Sequence, residues 1–130
     1  MFDFSSYFDV ANDLAGNNGE KYIRSGIIRY YYAGFGHARI YLVENMGEVR
    51  FLDGKNIHKR ICERLINSKD NTEASIGEKL DDLKKIRNDA DYDWNLDEEY
   101  FRNRLMMVQK DSKEIIEQVN SLKNSPPYKI

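Results

Sequence analysis

The chain has 130 residues, with 20 Lys+Arg against 22 Asp+Glu and a formal net charge of -2. That length supports one domain with its own apolar core and needs neither a disulfide nor a structural metal. The charge balance argues against strong non-specific nucleic-acid binding, which rests on neutralising phosphates, but leaves room for a local basic patch.

In chain order, residues 4–15 read as a short helix that Ser5 or Ser6 caps, with Tyr7, Phe8, Val10, Ala11 and Leu14 as its apolar residues. The breaker cluster Gly16-Asn17-Asn18-Gly19 then turns the chain. A long helix follows from about Glu20 to Asn45. One apolar stripe runs through Ile23, Ile27, Tyr30, Gly34, His37 or Ala38, and Tyr41. A second runs through Ile28, Tyr31 or Tyr32, Phe35, Ala38 and Leu42. Two stripes on one helix mean that it is covered on most sides, so it is the central helix. Gly34 and Gly36 each cost roughly 1 kcal/mol against alanine in a helix, which predicts another backbone packed against them. Its aromatics and glycines read first as core packing. Arg29 and Arg39 sit among apolar neighbours, where a buried guanidinium needs partners.

Residues 46–55, with GEVRFLDG, alternate like a strand but have no partner strand, and read as a loop or short extended link. Asn56 is the expected cap of a third helix to about Asn67, with Ile57, Ile61, Leu65 and Ile66 inward. After the polar turn SKDNT, Thr72 or Ser75 starts a fourth helix whose inner face is Ile76, Leu80, Leu83, Ile86 and Ala90. DYDWNL, residues 91–96, interrupts it. Asn95 or Asp97 opens the last helix, to about Lys123, with a heptad-like seam of Phe101, Leu105, Val108, Ser112, Ile115, Val119 and Leu122. Pro126-Pro127 ends helix formation, leaving residues 124–130 as a tail. Five helices, short connections and no convincing strand predict an all-α bundle of four or five helices with antiparallel neighbours, one domain over residues 1–130.

Cys62 is the only cysteine, so no intramolecular bridge forms, which fits a reducing cytosol. MFDFSSYFDV has no basic segment followed by an apolar one, so no signal peptide is expected, and no run of about 18 apolar residues suits a membrane span. The reading is a soluble, cytoplasmic protein without a membrane partner. No phosphate loop, dinucleotide fingerprint, GxSxG or Ser-His-Asp set occurs. With two separated histidines and one cysteine there is no compact metal spacing, and the order of a calcium loop is missing. No metal or cofactor is expected.

The strongest local signal is KKIRNDADYDW, residues 84–94. Arg87 and Asp91, four apart on a helix, suit an ordinary ion pair. That pair does not explain the concentration of Arg87, Asn88, Asp89, Asp91, Tyr92 and Asp93 at a helix end, where the arginine and asparagine suit a phosphate, held by charge and hydrogen bonds. Tyr92 brings a phenol, a hydrogen-bond donor rather than a base at neutral pH. In an unbroken helix Arg87 and Tyr92 point roughly 140° apart. His37 reads as a core or interface residue of the central helix. His58, in NIHKRICER beside Lys59, Arg60 and Arg64, reads as part of a solvated helix face.

Two of these stretches together resemble a family. IIRYYYAGFGHARIYL is similar to the central helix of small prokaryotic HEPN (higher eukaryotes and prokaryotes nucleotide-binding) proteins, through Arg29, Tyr31, Tyr32, Ala33, Phe35 and Arg39. IRNDADYD resembles the Arg-x-x-Ala-Asp-Tyr signature of a stand-alone branch, through Arg87, Ala90, Asp91 and Tyr92, and His58-Lys59 fits the same branch more weakly. The resemblance covers roughly residues 20–122. It implies a helical bundle that dimerises with its Arg motif at the cleft between protomers. It also implies metal-independent ribonuclease activity of the toxin–antitoxin or antiviral-defence kind, often with a nucleotidyltransferase antitoxin as partner. The family's catalytic motif is an Arg, often followed by Asn, with a His four to six residues later. Arg87-Asn88 match its start, Tyr92 stands where the shortest version puts the His, and Gly36 stands at the central-helix histidine with His37 beside it.

Three expectations follow. The first is a homodimeric ribonuclease with Arg87, Asn88 and Tyr92 at the scissile phosphate, and Arg29, Arg39, His37, His58 and Asp91 as candidate substrate contacts. The second is a non-catalytic module of the same type that binds RNA, a nucleotide or a nucleotidyltransferase partner. The third is a helical interaction protein that docks a partner along the seam from Phe101 to Leu122.

Overall fold

A computed structural model describes residues 2–124, so the Pro126-Pro127 tail lies outside the described residues. The protein is an all-α bundle: α1 (Ser5–Ala15), α2 (Glu20–Ile40), α3 (Ile57–Ile66), α4 (Asn71–Tyr92) and α5 (Glu98–Lys123). No strand occurs among the described residues. α2 is the central helix, packed against α1, α4 and α5, while α3 packs on α4. The two apolar stripes of α2 explain its place. Ile23, Ile27, Tyr30, Tyr31, Phe35 and Ala38 are all buried, and each large aliphatic side chain removed from water contributes roughly 1.5–3 kcal/mol.

α2 ends differently from its expected run to Asn45. After Ile40 the chain widens into one π-helical turn, Tyr41–Asn45, which carries Tyr41 and Leu42 inward. A 3₁₀ turn, Val49–Phe51, stands where alternation suggested an extended link. Phe51 is buried while Val49 is exposed, so the alternation anchors a turn by one ring. The expected inner face of α4, from Ile76 to Ala90, is buried throughout, and on α5 Phe101, Val108, Ser112, Ile115 and Val119 are buried. Ile66, expected inward, is exposed, as is Val10 among the apolar residues of α1.

The caps require more correction. Neither Ser5 nor Ser6 caps α1. Asp3 does the work, its carboxylate accepting from the Ser5 N–H at 2.9 Å. Asn56 precedes α3 in the left-handed region, φ 57°, with no side-chain cap. Asp70, not Thr72 or Ser75, caps α4 by accepting from the Glu73 N–H. Asp97 caps α5 at the Tyr100 N–H, one of the two expected choices.

The glycines of α2 also pack otherwise than expected. A Cβ on Gly36 would stand 2.2 Å from the Phe4 ring, and one on Gly34 would stand 3.3 Å from Ile115. Side chains, not another backbone, fill those notches. Close backbone approaches lie instead at Gly26, where a Cβ would stand 3.4 Å from the Ala11 oxygen and the Ala15 nitrogen of α1, and at Gly77, where one would meet the Ile66 nitrogen at 2.7 Å and bar α3 from α4.

Candidate functional site

α2, α3 and α4 bring together a cluster that no single stretch contains. Arg87 projects from α4 over the rings of Tyr31 and Tyr32, 5.9 and 5.3 Å from their centroids. Its Nη2 donates to the Tyr32 hydroxyl at 2.7 Å and its Nη1 to Asn88 Oδ1 at 2.9 Å. Its Nε lies 2.9 Å from Asp91 Oδ2. That buried N–H is nevertheless not aimed at an acceptor, so the Asp91 contact is an ion pair without an aligned hydrogen bond. The expected i, i+4 pair is there, and Arg87 does more than make it.

His58, at the start of α3, turns inward instead of joining a solvated face. Its ring stacks on Phe35 at 4.1 Å and on Tyr31 at 5.6 Å, and meets Tyr32 edge-on at 5.9 Å. Its Nδ1 is 2.7 Å from the Tyr31 hydroxyl. Arg87 and His58 therefore lean on the same two tyrosines. Burial lowers the His58 pKa to about 4, and the cations of Arg87, Lys84 and Arg39 push in the same direction. At neutral pH His58 is an uncharged imidazole. Burial pushes the Tyr31 phenol far above its ordinary range, with Cys62 and Tyr32 adding to the rise, so Tyr31 stays protonated. The Tyr31 hydroxyl and His58 Nδ1 share one hydrogen bond, which either tautomer of the neutral ring can make. Nε2 has no hydrogen-bond partner among the described residues. A guanidinium and a neutral imidazole with an open nitrogen make a pair suited to an anion such as a phosphate when that nitrogen carries the proton.

Several sequence candidates lie elsewhere. α4 continues unbroken through Tyr92, which lines an open cleft with Asn88, Asp89, Asp93 and Trp94 and not the Arg87 cluster. His37 accepts no role beside Arg87: its Nδ1 is 2.7 Å from the Ala33 carbonyl and its Nε2 3.2 Å from Ser5 Oγ, tying α1 to α2. Arg29 is exposed, its guanidinium over the Tyr7 ring at 4.8 Å. Arg39 holds the 3₁₀ turn, donating to the Phe51 carbonyl at 2.8 Å and to that of Leu52. Of the candidates, Arg87, Asn88, Asp91 and His58 come together.

One contributor went unnoticed in the sequence. Arg24 on α2 donates to the carbonyls of Asp89, Ala90, Asp93 and Leu96 and to the Glu20 carboxylate, with its guanidinium 4.3 Å from the Phe101 ring centroid. These bonds satisfy the Ala90 carbonyl at the end of α4 and the Asp93 and Leu96 carbonyls beyond it, add to the bond that the Asp89 carbonyl accepts from the Asp93 N–H, and so brace the helix end that carries Arg87. Its only sequence trace is the i, i+4 spacing from Glu20. No group of three or more His, Cys, Asp or Glu side chains among the described residues is arranged to hold a metal ion, and no helix there is long and apolar enough to cross a membrane. Comparison with protein-family models, curated proteins and solved structures gives no match.

Proposed function

We propose that this chain is a HEPN-like domain of the toxin–antitoxin or antiviral-defence kind that acts on RNA, with Arg87 and His58 as its phosphate-facing pair. The observation that carries the reading is their convergence on the Tyr31 and Tyr32 rings. The histidine missing from the Arg87 motif has a counterpart supplied by α3. In this reading Arg87 neutralises the scissile phosphate, and Asp91 and Tyr32 hold its guanidinium in place. In the tautomer protonated at Nδ1, whose N–H donates to the Tyr31 oxygen, Nε2 of His58 is unprotonated and accepts the 2'-hydroxyl proton. The 2'-oxygen attacks phosphorus, the bond from phosphorus to the 5'-oxygen breaks, the 5'-oxygen takes a proton from water, and a cyclic phosphate remains while the imidazolium returns its proton to the hydroxide so formed. A second copy closes the cleft, and a nucleotidyltransferase antitoxin is the partner that the family resemblance implies.

One observation favours a second reading, phosphate binding without turnover. His58 is lowered to about 4 and held through Nδ1, which makes it a weak base but leaves it a good donor. RNA cleavage in EDTA by the wild type, Arg87→Ala and His58→Ala separates the two. Cleavage lost in both variants supports the ribonuclease. RNA binding lost in Arg87→Ala, with no cleavage by the wild type, supports the binding module. Cleavage unchanged in both variants removes this site from either.

A further inference from the structure

The corner between α4 and α5 carries the two most exposed aromatic side chains of the described residues, Tyr92 at 74% and Trp94 at 86%. They line an open cleft of about 540 Å³ with Asn88, Asp89 and Asp93, and no basic residue lines it. The surrounding chain is acidic: residues 88–101 contain Asp89, Asp91, Asp93, Asp97, Glu98 and Glu99 and no Lys or Arg. Most of these carboxylates are already engaged. Asp91 pairs with Arg87, Glu98 with Arg102, and Asp97 caps α5. The two in the cleft are engaged by one oxygen each, Asp89 Oδ2 by the Tyr100 hydroxyl and Asp93 Oδ1 by the Asn95 N–H. Their other oxygens have no partner among the described residues. Arg24, the cation beneath this corner, directs its donors to backbone carbonyls and Glu20 rather than to these two carboxylates.

Open indole and phenol faces beside free carboxylate oxygens are complementary to a planar guanidinium, which stacks on aromatic rings and donates in a fork to carboxylates. A phosphate chain would meet two uncompensated negative charges here. We propose that this cleft docks an arginine side chain from a basic segment of a partner protein, with the guanidinium against Tyr92 and Trp94 and hydrogen-bonded to Asp89 and Asp93. The cleft borders the Arg87–His58 cluster through Asn88, which lines it and accepts from Arg87 Nη1, while the proposed contacts fall on Tyr92, Trp94, Asp89 and Asp93.

Trp94 is the only tryptophan of the chain, so its fluorescence reports on this cleft. Acetylated tetra-arginine amide, titrated into the full chain at low salt, is expected to change Trp94 emission saturably, and a tetra-citrulline peptide of equal length is not. The double variant D89N/D93N, whose amide oxygens still accept from Tyr100 and Asn95, is expected to bind at least tenfold more weakly while keeping the wild-type circular dichroism. Calorimetry with Trp94→Ala is expected to show a similar loss. Equal affinity in D89N/D93N, or no response to the arginine peptide, overturns the proposal. So does a saturable response to a single-stranded oligoribonucleotide without one to tetra-arginine, which would make the aromatic pair a base-stacking platform. Self-association that shields Trp94 from acrylamide in the absence of peptide would assign the cleft to a second copy instead.

Discussion

Two of the polar clusters in this bundle are built to opposite standards. At the α3–α4 corner, buried Glu73 accepts from Tyr41 at 2.5 Å, from Arg64 at 2.8 Å and from Ser68 at 2.7 Å. Arg64 in turn grips Glu48 through Nε and Nη2. Burial pushes the Glu73 carboxyl upward, yet the bonds from Arg64, Tyr41 and Ser68 outweigh it and hold the pKa below the ordinary carboxylate range. At the α2–α3–α4 cluster, by contrast, among the described residues Arg87 Nε has no aligned acceptor and His58 Nε2 has no partner. A saturated network holds helices together. A cluster with an imidazole nitrogen left over has something to offer a ligand.

The sharpest test of that contrast is Glu73→Ala. It leaves the Arg64 guanidinium with one carboxylate in place of two and strips the partner from Tyr41 and Ser68. Removing one member of a buried charge network costs about 3–5 kcal/mol. Arg64 is about one-fifth exposed, so the low end, about 3 kcal/mol in urea unfolding, is expected. A loss below about 1 kcal/mol would break the comparison. Tyr41→Phe probes the same network more gently. It deletes one donor to a buried carboxylate and is expected to cost about 1–2 kcal/mol, with RNA binding or cleavage unchanged.

Which parts of this were legible in the sequence follows from how far each signal reaches. The inner face of α4 and the buried positions of the α5 seam could be read because helical periodicity repeats a local rule over many residues. The start of α4 was misplaced because Asp70, Thr72 and Ser75 are all capable acceptors, and only the structure tells which N–H is open. Ser75 is in fact engaged with Lys79 and Gln118. Arg39 and Arg24 eluded a reading by side-chain complementarity because they bind backbone carbonyls, a group that every residue carries. His58 was misread for a different reason. Its sequence neighbours are charged, and what turns it inward is Phe35 and Tyr31 on another helix.

Arg87→Ala sharpens the contrast from the other side. Arg87 is about as enclosed as Arg64, but its partner Asp91 is 25% accessible where Glu73 is 5%, so this pair holds less stability than the Glu73 network. Stability is expected to fall by about 1–2 kcal/mol, less than in Glu73→Ala, while RNA affinity or cleavage falls at least tenfold. A large stability loss with unaltered RNA binding would make this cluster a second structural network.

The smallest effect is the one that separates the clusters by pH. His58 titrates at about 4 in the folded chain against an ordinary 6.5. Between those values the unfolded chain holds a proton that the folded chain does not, so stability declines as pH falls from about 6.5 towards 4. The full shift would correspond to about 3 kcal/mol, and partial exposure and screening reduce it to about 1–2 kcal/mol. Glu73 acts in the same sense but lower: its contribution is present above the ordinary 4.5 and is lost as pH falls below it. Urea unfolding of the wild type and His58→Phe at pH 7 and pH 5 therefore isolates the histidine, since the phenyl ring keeps the stacking on Phe35. The wild type is expected to lose more stability than the variant over that interval, by about 1 kcal/mol. Equal losses would mean that His58 takes up its proton in place, beside Arg87. The imidazolium would then be available to protonate a leaving oxygen, and the balance between cleavage and mere binding would tip towards cleavage.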